Sequence, residues 1–255
     1  MKSLRLLVAC ASVVAGLGVT GVATASPAKV KKVQPVMVAS YPFDLVAVGQ
    51  SNGNDTAVIQ LRLSDLGFWL KNVDGVYETT TKQAVMAFQK YVGLKRTGSV
   101  DEETATVLAA AQHKAIGRSD EDLEFDEDVV EVDKARQLAF VVRDGATVMT
   151  LNVSTGNDKP YEEPDANTPN VMLKGVANTP VGKYRTDRAR SDGWWNGDMG
   201  SIYRPIYFNG GIAFHGSAVV PGYPASHGCV RVSVMAMDQL WKMKVLELGS
   251  RVWVY

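Results

Sequence analysis

The chain has 255 residues, enough for one large domain or two small ones with a buried core. Hydrophobic residues make up 46% of it and charged residues 21%, the composition of an ordinary globular protein. The 27 Lys and Arg residues equal the 27 Asp and Glu residues, so no overall positive field favours nucleic acid or an anionic membrane.

The first 25 residues have the pattern of a secretory signal peptide. A cationic start, MKSLR, precedes a run of apolar and small residues, and ATAS predicts cleavage after Ala25. A membrane anchor is the alternative, but the run is short and glycine-rich against the roughly 20 residues of a membrane span. No second run is long enough, so we expect an exported protein without stable membrane insertion after cleavage.

Cleavage would remove Cys10 and leave Cys229 as the single cysteine of the mature chain. Exported proteins usually pair their cysteines in disulfides. A lone thiol is therefore an intermolecular link, a reactive group or an inert buried side chain. The residues around Cys229 have to decide between these readings.

Residues 26–50 are rich in Pro, Val and Lys and predict a linker. Helical signals begin at Asn54, with Asp55 or Thr56 as a possible N-cap, and the first helix is expected to stop at Gly67. The expected apolar stripe of this helix consists of Val58, Leu61, Leu63 and Leu66.

Two more helices are predicted further along the chain. The second runs from Thr79 to Val92, after an Asp74-Gly75 turn, and the third is shorter and starts near Asp101. Together the three helices predict a small bundle over residues 51–112.

Core and turn residues recur through this bundle in a characteristic order. They are Val58, Gln60, Leu61, Leu66, Gly67, Phe68, Asp74, Gly75, Tyr77, Thr81, Ala84, Val85, Phe88, Gln89, Gly93, Leu94, Thr97, Gly98, Val100, Thr104 and Leu108. This pattern resembles the peptidoglycan-binding domain found beside many cell-wall enzymes. Glu78 departs from it, since that family usually has glycine after the aromatic residue. Most of the matching positions are structural, so they support the fold better than they support binding.

An acidic stretch, SDEDLEFDED, follows at residues 119–128, where seven of the ten residues are acidic. It predicts a solvated hinge inside an acidic linker at residues 113–128. A specific acidic recognition site is the alternative reading.

From Val129 onward the pattern becomes that of β-strands. A hairpin is expected at Asp144-Gly145, and one helix at about Val234 to Met243, capped by Ser233.

A last strand is expected at residues 251–255, which makes residues 129–255 a mostly β domain. The predicted fold class is therefore multidomain α+β, with a three-helix bundle followed by a mostly β domain.

The stretch IAFHGSAVVPGYPASHGCVRVS, residues 212–233, holds two of the three histidines and the single mature cysteine. A thiol is a useful nucleophile only as thiolate, and an imidazole can take its proton. His215 lies 14 residues before Cys229 with a turn-rich segment between them. Gly228 allows close approach of a substrate carbonyl, and the N–H groups of residues 227–229 are candidates for stabilising an oxyanion.

Two other readings of this stretch are open on composition alone. The two histidines and Cys229 could be three zinc ligands, although no fourth ligand is obvious because His113 belongs to the helical region. Alternatively, they could be packed core residues without a chemical role.

Three blocks in this region, FHGS, SHGCVRVS and the upstream TPVGKYRT at residues 179–186, occur in order. Over residues 129–255 they resemble the YkuD-type L,D-transpeptidase catalytic domain. The resemblance implies Cys229 as the nucleophile and His215 as the general base, oriented by the backbone carbonyl near Gly216. The motif residues implied to shape the oxyanion hole and the substrate groove are Ser226, His227, Gly228 and Arg231, of which Arg231 is a position where some members carry Asn.

The resemblance also implies a reaction and its partners. Peptidoglycan tetrapeptide stems would lose D-alanine, and the acyl group would pass to a stem amine to give a 3→3 crosslink. Water as acceptor would make the enzyme an L,D-carboxypeptidase, and a protein amine or a free D-amino acid would give other products. A degenerate, non-catalytic wall-binding protein is the remaining alternative.

No cofactor or metal is expected, carbapenems are expected to acylate Cys229, and the expected location is the periplasm or cell wall. Peptidoglycan stem peptides and glycan are the expected partners, with roles in cell-wall organisation and cell shape.

Aromatic residues cluster between the blocks. We expect Trp194 and Trp195, set among Gly and Asp, to form a lid or a groove wall, and Tyr207 and Phe208 to pack in the core.

Overall fold

The structure is a computed structural model that describes residues 37–38, 44–119 and 128–255. The predicted signal peptide and most of the acidic stretch lie outside the described residues. The described residues belong to one compact unit. Among them, no helix is long and apolar enough to cross a membrane.

The described part of the chain contains four helices and twelve strands, which confirms the α+β fold class. In chain order these are α1 (Asn54–Asp65), α2 (Thr79–Val92), α3 (Glu102–Ala110), β1 (Val129–Asp133), β2 (Leu138–Arg143), β3 (Ala146–Asn152), β4 (Pro160–Pro164), β5 (Met172–Val176), β6 (Gly182–Arg185), β7 (Arg188–Ala189), β8 (Trp194–Gly197), β9 (Gly200–Asn209), β10 (Ile212–Ser217), β11 (Val230–Ser233), α4 (Val234–Met243) and β12 (Arg251–Val254).

Helix α2 has the bounds that its sequence predicts. It ends at Gly93, whose φ of 80° is the left-handed conformation that closes many helices. Helix α3 begins after Asp101, whose carboxylate accepts a hydrogen bond from the backbone N–H of Thr104 at 2.9 Å.

Helix α1 begins at Asn54 as predicted, but its N-cap differs from the prediction. Gly53 is its N-cap, with φ 144° and no side-chain cap, so Asp55 and Thr56 lie inside the helix. The reason is a long-range contact, since the N–H of Gly53 donates to the carbonyl of Gly75 at 2.9 Å. Leu61, placed in the apolar stripe by its sequence spacing, is 44% exposed. The residues that α1 buries are Thr56, Ile59, Gln60, Arg62 and Leu63.

Two five-stranded sheets form the β region. One has the order β3-β2-β1-β12-β6, and the other runs β11-β10-β9-β7 with β8 also paired to β9. Strands β4 and β5 form a separate hairpin. The β2–β3 connection is the predicted hairpin turn, in which Asp144 and Gly145 both have positive φ, 49° and 73°, as the short turns favoured in hairpins require.

Strand β2 joins the helices to the sheets through a shared core. Its Ala139 and Val141 pack between the two sheets, whereas Leu138, Phe140 and Val142 face the helices. On the helical side these three contact a cluster that includes Ile59, Leu63, Leu66, Phe68 and Phe88. The helical bundle, residues 54–110, therefore rests directly on the β region.

The described part of the predicted acidic linker also follows this surface. Ala115 donates its N–H to Leu66 O at 2.9 Å, and Gly117 donates to Thr147 Oγ1 at 3.1 Å. Next along the chain, Ser119 donates to the fully buried carboxylate of Glu131 at 2.9 Å. Residues 115–119 are thus hydrogen-bonded both to the helical bundle and to the β region.

Candidate functional site

Two neighbouring parallel strands bring His215 and Cys229 to one cavity. In the register of β10 with β11, Phe214 pairs with Val230 and His215 pairs with Arg231, so Cys229 stands one position before β11. Both side chains line a cavity of about 770 Å³. The 14-residue separation in sequence is closed by strand pairing.

His215 is a buried imidazole with a defined orientation. It is 4% exposed, and its Nδ1 lies 2.9 Å from the carbonyl oxygen of Gly216. A proton on Nδ1 donates to that carbonyl and leaves the Nε2 lone pair to accept another. Burial lowers the pKa of His215 to about 4, Arg231 adds to the effect, and the hydrogen bond to Gly216 opposes it. The imidazole is therefore neutral near pH 7.

Gly216 has no room for a side chain. A Cβ there would lie 2.9 Å from Cδ1 of Tyr203 and 3.1 Å from Cα of Val234. This close packing explains why glycine follows the histidine in the sequence.

Cys229 is a free, partly buried thiol whose Sγ lies 3.7 Å from Gly211 O. Burial raises the pKa of the thiol, while a hydrogen bond from the Ala213 backbone and the positive charge of Arg231 act in the opposite direction. The neutral thiol and the neutral imidazole are thus the forms that burial favours in this cavity.

Ser226 and Gly228 shape the turn that carries Cys229. Ser226 Oγ donates to the carbonyl of Cys229 and accepts the N–H of Gly228 at 3.1 Å. Gly228 has φ 142°, and a Cβ there would lie 2.7 Å from Asn178 O. Only glycine fits this turn without displacing its neighbours.

Thr179 connects the upstream block to the same turn. Its hydroxyl donates to Gly228 O at 2.6 Å and accepts the N–H of Gly156 at 2.9 Å. The sequence marks Thr179 only as part of the TPVG block. The structure shows the contact by which that block holds the cysteine turn.

The side chain of His227 contacts strand β4. Its Nε2 lies 3.0 Å from Glu163 Oε1, and its ring packs against the ring of Tyr161 with centroids 4.9 Å apart. Neither β4 residue was a candidate from the sequence, since PYEEP contains no motif that points to His227. Glu163 also acts on Arg231. Burial lowers the pKa of Arg231, and electrostatic interactions with Glu163 and with Cys229 in its thiolate form oppose that shift.

Two hairpins form the walls of the cavity. Tyr161 and Lys174 line it from β4–β5, and Trp195 and Ile202 line it from β8–β9. The hairpins touch each other where the N–H of Ala166 donates to Asp198 O at 2.8 Å.

The aromatic predictions for this region hold only in part. Trp195 lines the cavity, Trp194 packs edge-on against Tyr203, and Phe208 is in the core. Tyr207, expected in the core, instead lines the cavity with the guanidinium of Arg188 4.0 Å above its ring. The sequence missed this because adjacent residues of a strand face opposite sides.

Six of the seven predicted site residues line the cavity, and Gly216 lies behind His215. The six are His215, Ser226, His227, Gly228, Cys229 and Arg231. Among the described residues, no group of three or more His, Cys, Asp or Glu side chains is arranged to hold a metal ion.

Two family models match the chain. The model of the L,D-transpeptidase catalytic domain matches residues 127–254, half of the chain. The chain belongs to the L,D-transpeptidase family. A second model, of a peptidoglycan binding domain, matches residues 52–108 of the chain.

One solved structure supports the same family, and a second is a weaker match. The crystal structure of an L,D-transpeptidase from Xylanimonas cellulosilytica DSM 15894 is 38% identical, with a TM-score of 0.71, and the match covers 86% of this chain and 98% of that one. An L,D-transpeptidase from Stackebrandtia nassauensis is 21% identical with a TM-score of 0.43, covering 87% of this chain and 97% of that one.

One further relative matches a short stretch of the chain. It is the N-acetylmuramoyl-L-alanine amidase CwlM of Mycobacterium tuberculosis, 37% identical over 67 residues. The matched stretch is 26% of this chain and 16% of that protein.

Proposed function

We propose that this protein is a peptidoglycan L,D-transpeptidase that forms 3→3 crosslinks through an acyl-enzyme on Cys229. The observation that carries the proposal is the pairing of β10 with β11, which brings a thiol and an oriented, buried imidazole to one cavity. The substrate is a tetrapeptide stem, from which D-alanine leaves.

Acylation begins when Sγ of Cys229 attacks the carbonyl carbon that carries D-alanine and Nε2 of His215 takes the thiol proton. The tetrahedral oxyanion is held by backbone N–H groups of the turn. Because the N–H of Gly228 already donates to Ser226 Oγ, we assign this role to the N–H groups of His227 and Cys229. The C–N bond then breaks, and D-alanine leaves with the proton from His215.

Deacylation reverses the roles of the same groups. The side-chain amine of a second stem attacks the thioester, His215 takes its proton, and the C–S bond breaks to give a new amide and the thiolate. His215 then returns a proton to Cys229. The cation of Arg231 stabilises the thiolate in both halves of the reaction, consistent with its effect on the pKa of Cys229.

The remaining features fit an enzyme that works on the cell envelope. We assign it to the periplasm or cell wall, and we assign peptidoglycan binding to the helical bundle, on which the peptidoglycan binding domain model matches. Carbapenems should acylate Cys229, because a strained β-lactam carbonyl presents the thiol with the same addition step.

The test is mass spectrometry of the mature protein incubated with a purified disaccharide-tetrapeptide. We expect loss of D-alanine together with a crosslinked dimer, and a carbapenem adduct on Cys229. Cys229→Ala, checked by circular dichroism to be folded, should show neither product nor adduct.

Other outcomes would change the assignment. Tripeptide alone would make the protein an L,D-carboxypeptidase, and capture of a protein amine or a free D-amino acid would identify a different acceptor. No turnover and no adduct would leave a wall-binding protein without catalysis.

A further inference from the structure

We propose that the helical bundle positions the reaction centre, with Gln83 and Arg96 holding the loop of residues 218–225 in the conformation that acylation requires. This loop connects β10, which carries His215, to the turn that carries Cys229. The proposal rests on the function proposed for those two residues, and it assigns the bundle a role in the chemistry besides binding the wall.

Two side chains of the bundle bind the backbone of the 218–225 loop. Gln83 Nε2, on α2, donates to Val220 O at 3.2 Å, and Arg96 Nη1 donates to Gly222 O at 3.1 Å. The loop has neither helix nor strand structure, so carbonyls such as these depend on partners outside the loop.

The contact at Gly222 is too close for any other residue. A Cβ there would lie 2.9 Å from Cβ of Arg96 and 3.3 Å from Sδ of Met86. Val220 is buried against the protein, whereas Val219 and Tyr223 are exposed. The inner side of the loop therefore belongs to the interface with the bundle.

Asn152, at the end of β3, orients the glutamine. Its Nδ2 donates to Gln83 Oε1 and lies 3.4 Å from Val220 O. The Gln83 amide thus accepts a hydrogen bond from the β region and donates one to the loop. A substitution that keeps the acceptor and removes the donor can therefore test the two contacts separately.

The far end of the loop is tied to the cysteine turn. Ser154 Oγ donates to Tyr223 O at 2.8 Å and accepts the N–H of Ala225 at 3.0 Å. Thr155 O accepts the N–H of Ser226 at 3.0 Å, and Ser226 Oγ in turn holds the carbonyl of Cys229. A continuous set of contacts therefore runs from the bundle to the nucleophile.

Helix α2 also binds the segment that follows β3, which contains Ser154 and Thr155. Lys90 Nζ, buried at the interface, donates to Val153 O and to Gln137 O, both at 2.9 Å. Gln137 Nε2 reaches Thr155 Oγ1 at 2.7 Å. Helix α2 thus contacts the segment of Ser154 and Thr155 through Lys90 and contacts the loop through Gln83.

This arrangement matters for rate because acylation needs Cys229 and His215 at a defined separation. A shift of about 1 Å in a reacting group can cost on the order of a hundredfold in rate. Without its ties to the bundle, the 218–225 loop would sample other conformations, and the productive one would be less populated.

The experiment measures carbapenem acylation of the full mature chain by stopped-flow absorbance, which separates the apparent binding constant from the first-order acylation constant. The adduct is located on Cys229 by mass spectrometry. For Arg96→Ala we expect the acylation constant to fall roughly tenfold, the effect of losing one charge-assisted hydrogen bond. The apparent binding constant should not change, and Arg96→Lys, which keeps a cationic donor, should recover part of the rate.

Gln83→Glu provides a second, independent variant. It keeps an acceptor for Asn152 but loses the donor to Val220 O, so the acylation constant should fall although the contact to β3 is retained. Lys95→Ala is the matched control, since this exposed neighbour makes no hydrogen bond to the loop among the described residues, and its rate should be that of the wild type. If Arg96→Ala does not fold, Gln83→Glu decides the question.

The outcomes separate this proposal from the proposed function. Wild-type acylation rates in folded Arg96→Ala and Gln83→Glu would overturn the positioning role and leave the function standing. A lowered melting temperature with an unchanged acylation constant would likewise overturn it, because the contacts would then be purely structural. A wild-type protein that forms no adduct on Cys229 would instead remove the function on which both rest.

Discussion

At the scale of single residues, burial favours the neutral forms of the two groups that we propose react, His215 and Cys229. It lowers the pKa of His215 and raises that of Cys229, so a preformed thiolate–imidazolium pair is not the resting state. The thiol is instead expected to lose its proton to His215 as substrate is attacked, which makes the orientation of His215 by Gly216 O important for rate.

The pH dependence of acylation tests this description. Because the pKa of His215 is lowered to about 4, the base form persists across weakly acidic pH, and the first-order acylation constant should fall only as pH drops through about 4. The measurement is a carbapenem acylation profile from neutral to acidic pH, with circular dichroism to confirm folding at each point. An acid limb centred near 6.5, the ordinary value for histidine, would contradict it.

At the scale of elements, helix α4 packs against the strands that position the candidate site. It follows β11 directly and packs on β10, the strand of His215. Its N-terminus is closed by Ser233, whose hydroxyl accepts the N–H of Ala236 at 3.2 Å. Stability of this helix is therefore linked to the position of the two site strands.

Removing the cap should destabilise the fold by a defined amount. Ser233→Ala leaves an N–H of the first turn without its acceptor and is expected to lower the free energy of unfolding by about 1 kcal/mol. Urea denaturation measures the change, and Ser233→Asp, which retains a capping oxygen, should lose much less. Equal midpoints for wild type and Ser233→Ala would show that the cap contributes nothing.

At the scale of the whole molecule, the helical bundle and the β region share one core. Phe140 of β2 and Phe68 of the bundle belong to the same buried cluster, and Lys90 crosses the interface to two carbonyls of the β region. Burial, with a smaller contribution from the charge of Arg96, lowers the pKa of Lys90 to about 6.

Lys90 should therefore give stability a measurable pH dependence. The folded amine is neutral above about pH 6, while the unfolded one keeps its proton up to the ordinary lysine pKa of 10.5. The unfolded state therefore binds more protons between these two values. Stability should rise with pH across this window, by at most about 1.4 kcal/mol per pH unit, and be lost as pH falls toward 6.

Lys90→Met should flatten that part of the curve, whereas Lys95→Met, at an exposed position, should leave it unchanged. Urea denaturation between pH 6 and 9 provides the comparison. The same slope in wild type and Lys90→Met would show that the buried amine stays charged.

The sequence predicts those helix bounds, caps and turns whose physical cause lies in neighbouring residues. The bounds of α2 and α4, the start of α3 near Asp101, the cap Ser233 and the turn at Asp144-Gly145 follow from neighbouring residues alone. The N-cap of α1 was not predicted, because Gly53 is held by a contact with Gly75, 22 positions further along the chain.

The candidate site divides in the same way. The types and order of residues around His215 and Cys229 were sufficient to predict a family and a chemistry. The family is confirmed, and the roles of the residues stay predictions. Glu163 beside His227, Thr179 on Gly228 and Tyr207 in the cavity wall needed the structure.

The sequence by itself determined the α+β class, the helices whose bounds follow from local signals, and the identity of the candidate thiol and imidazole, Cys229 and His215. Only the tertiary structure decided that the bundle packs on the 218–225 loop through Gln83 and Arg96. The reason is physical, since a side chain that binds a backbone carbonyl more than a hundred residues away leaves no periodic or local pattern in the sequence.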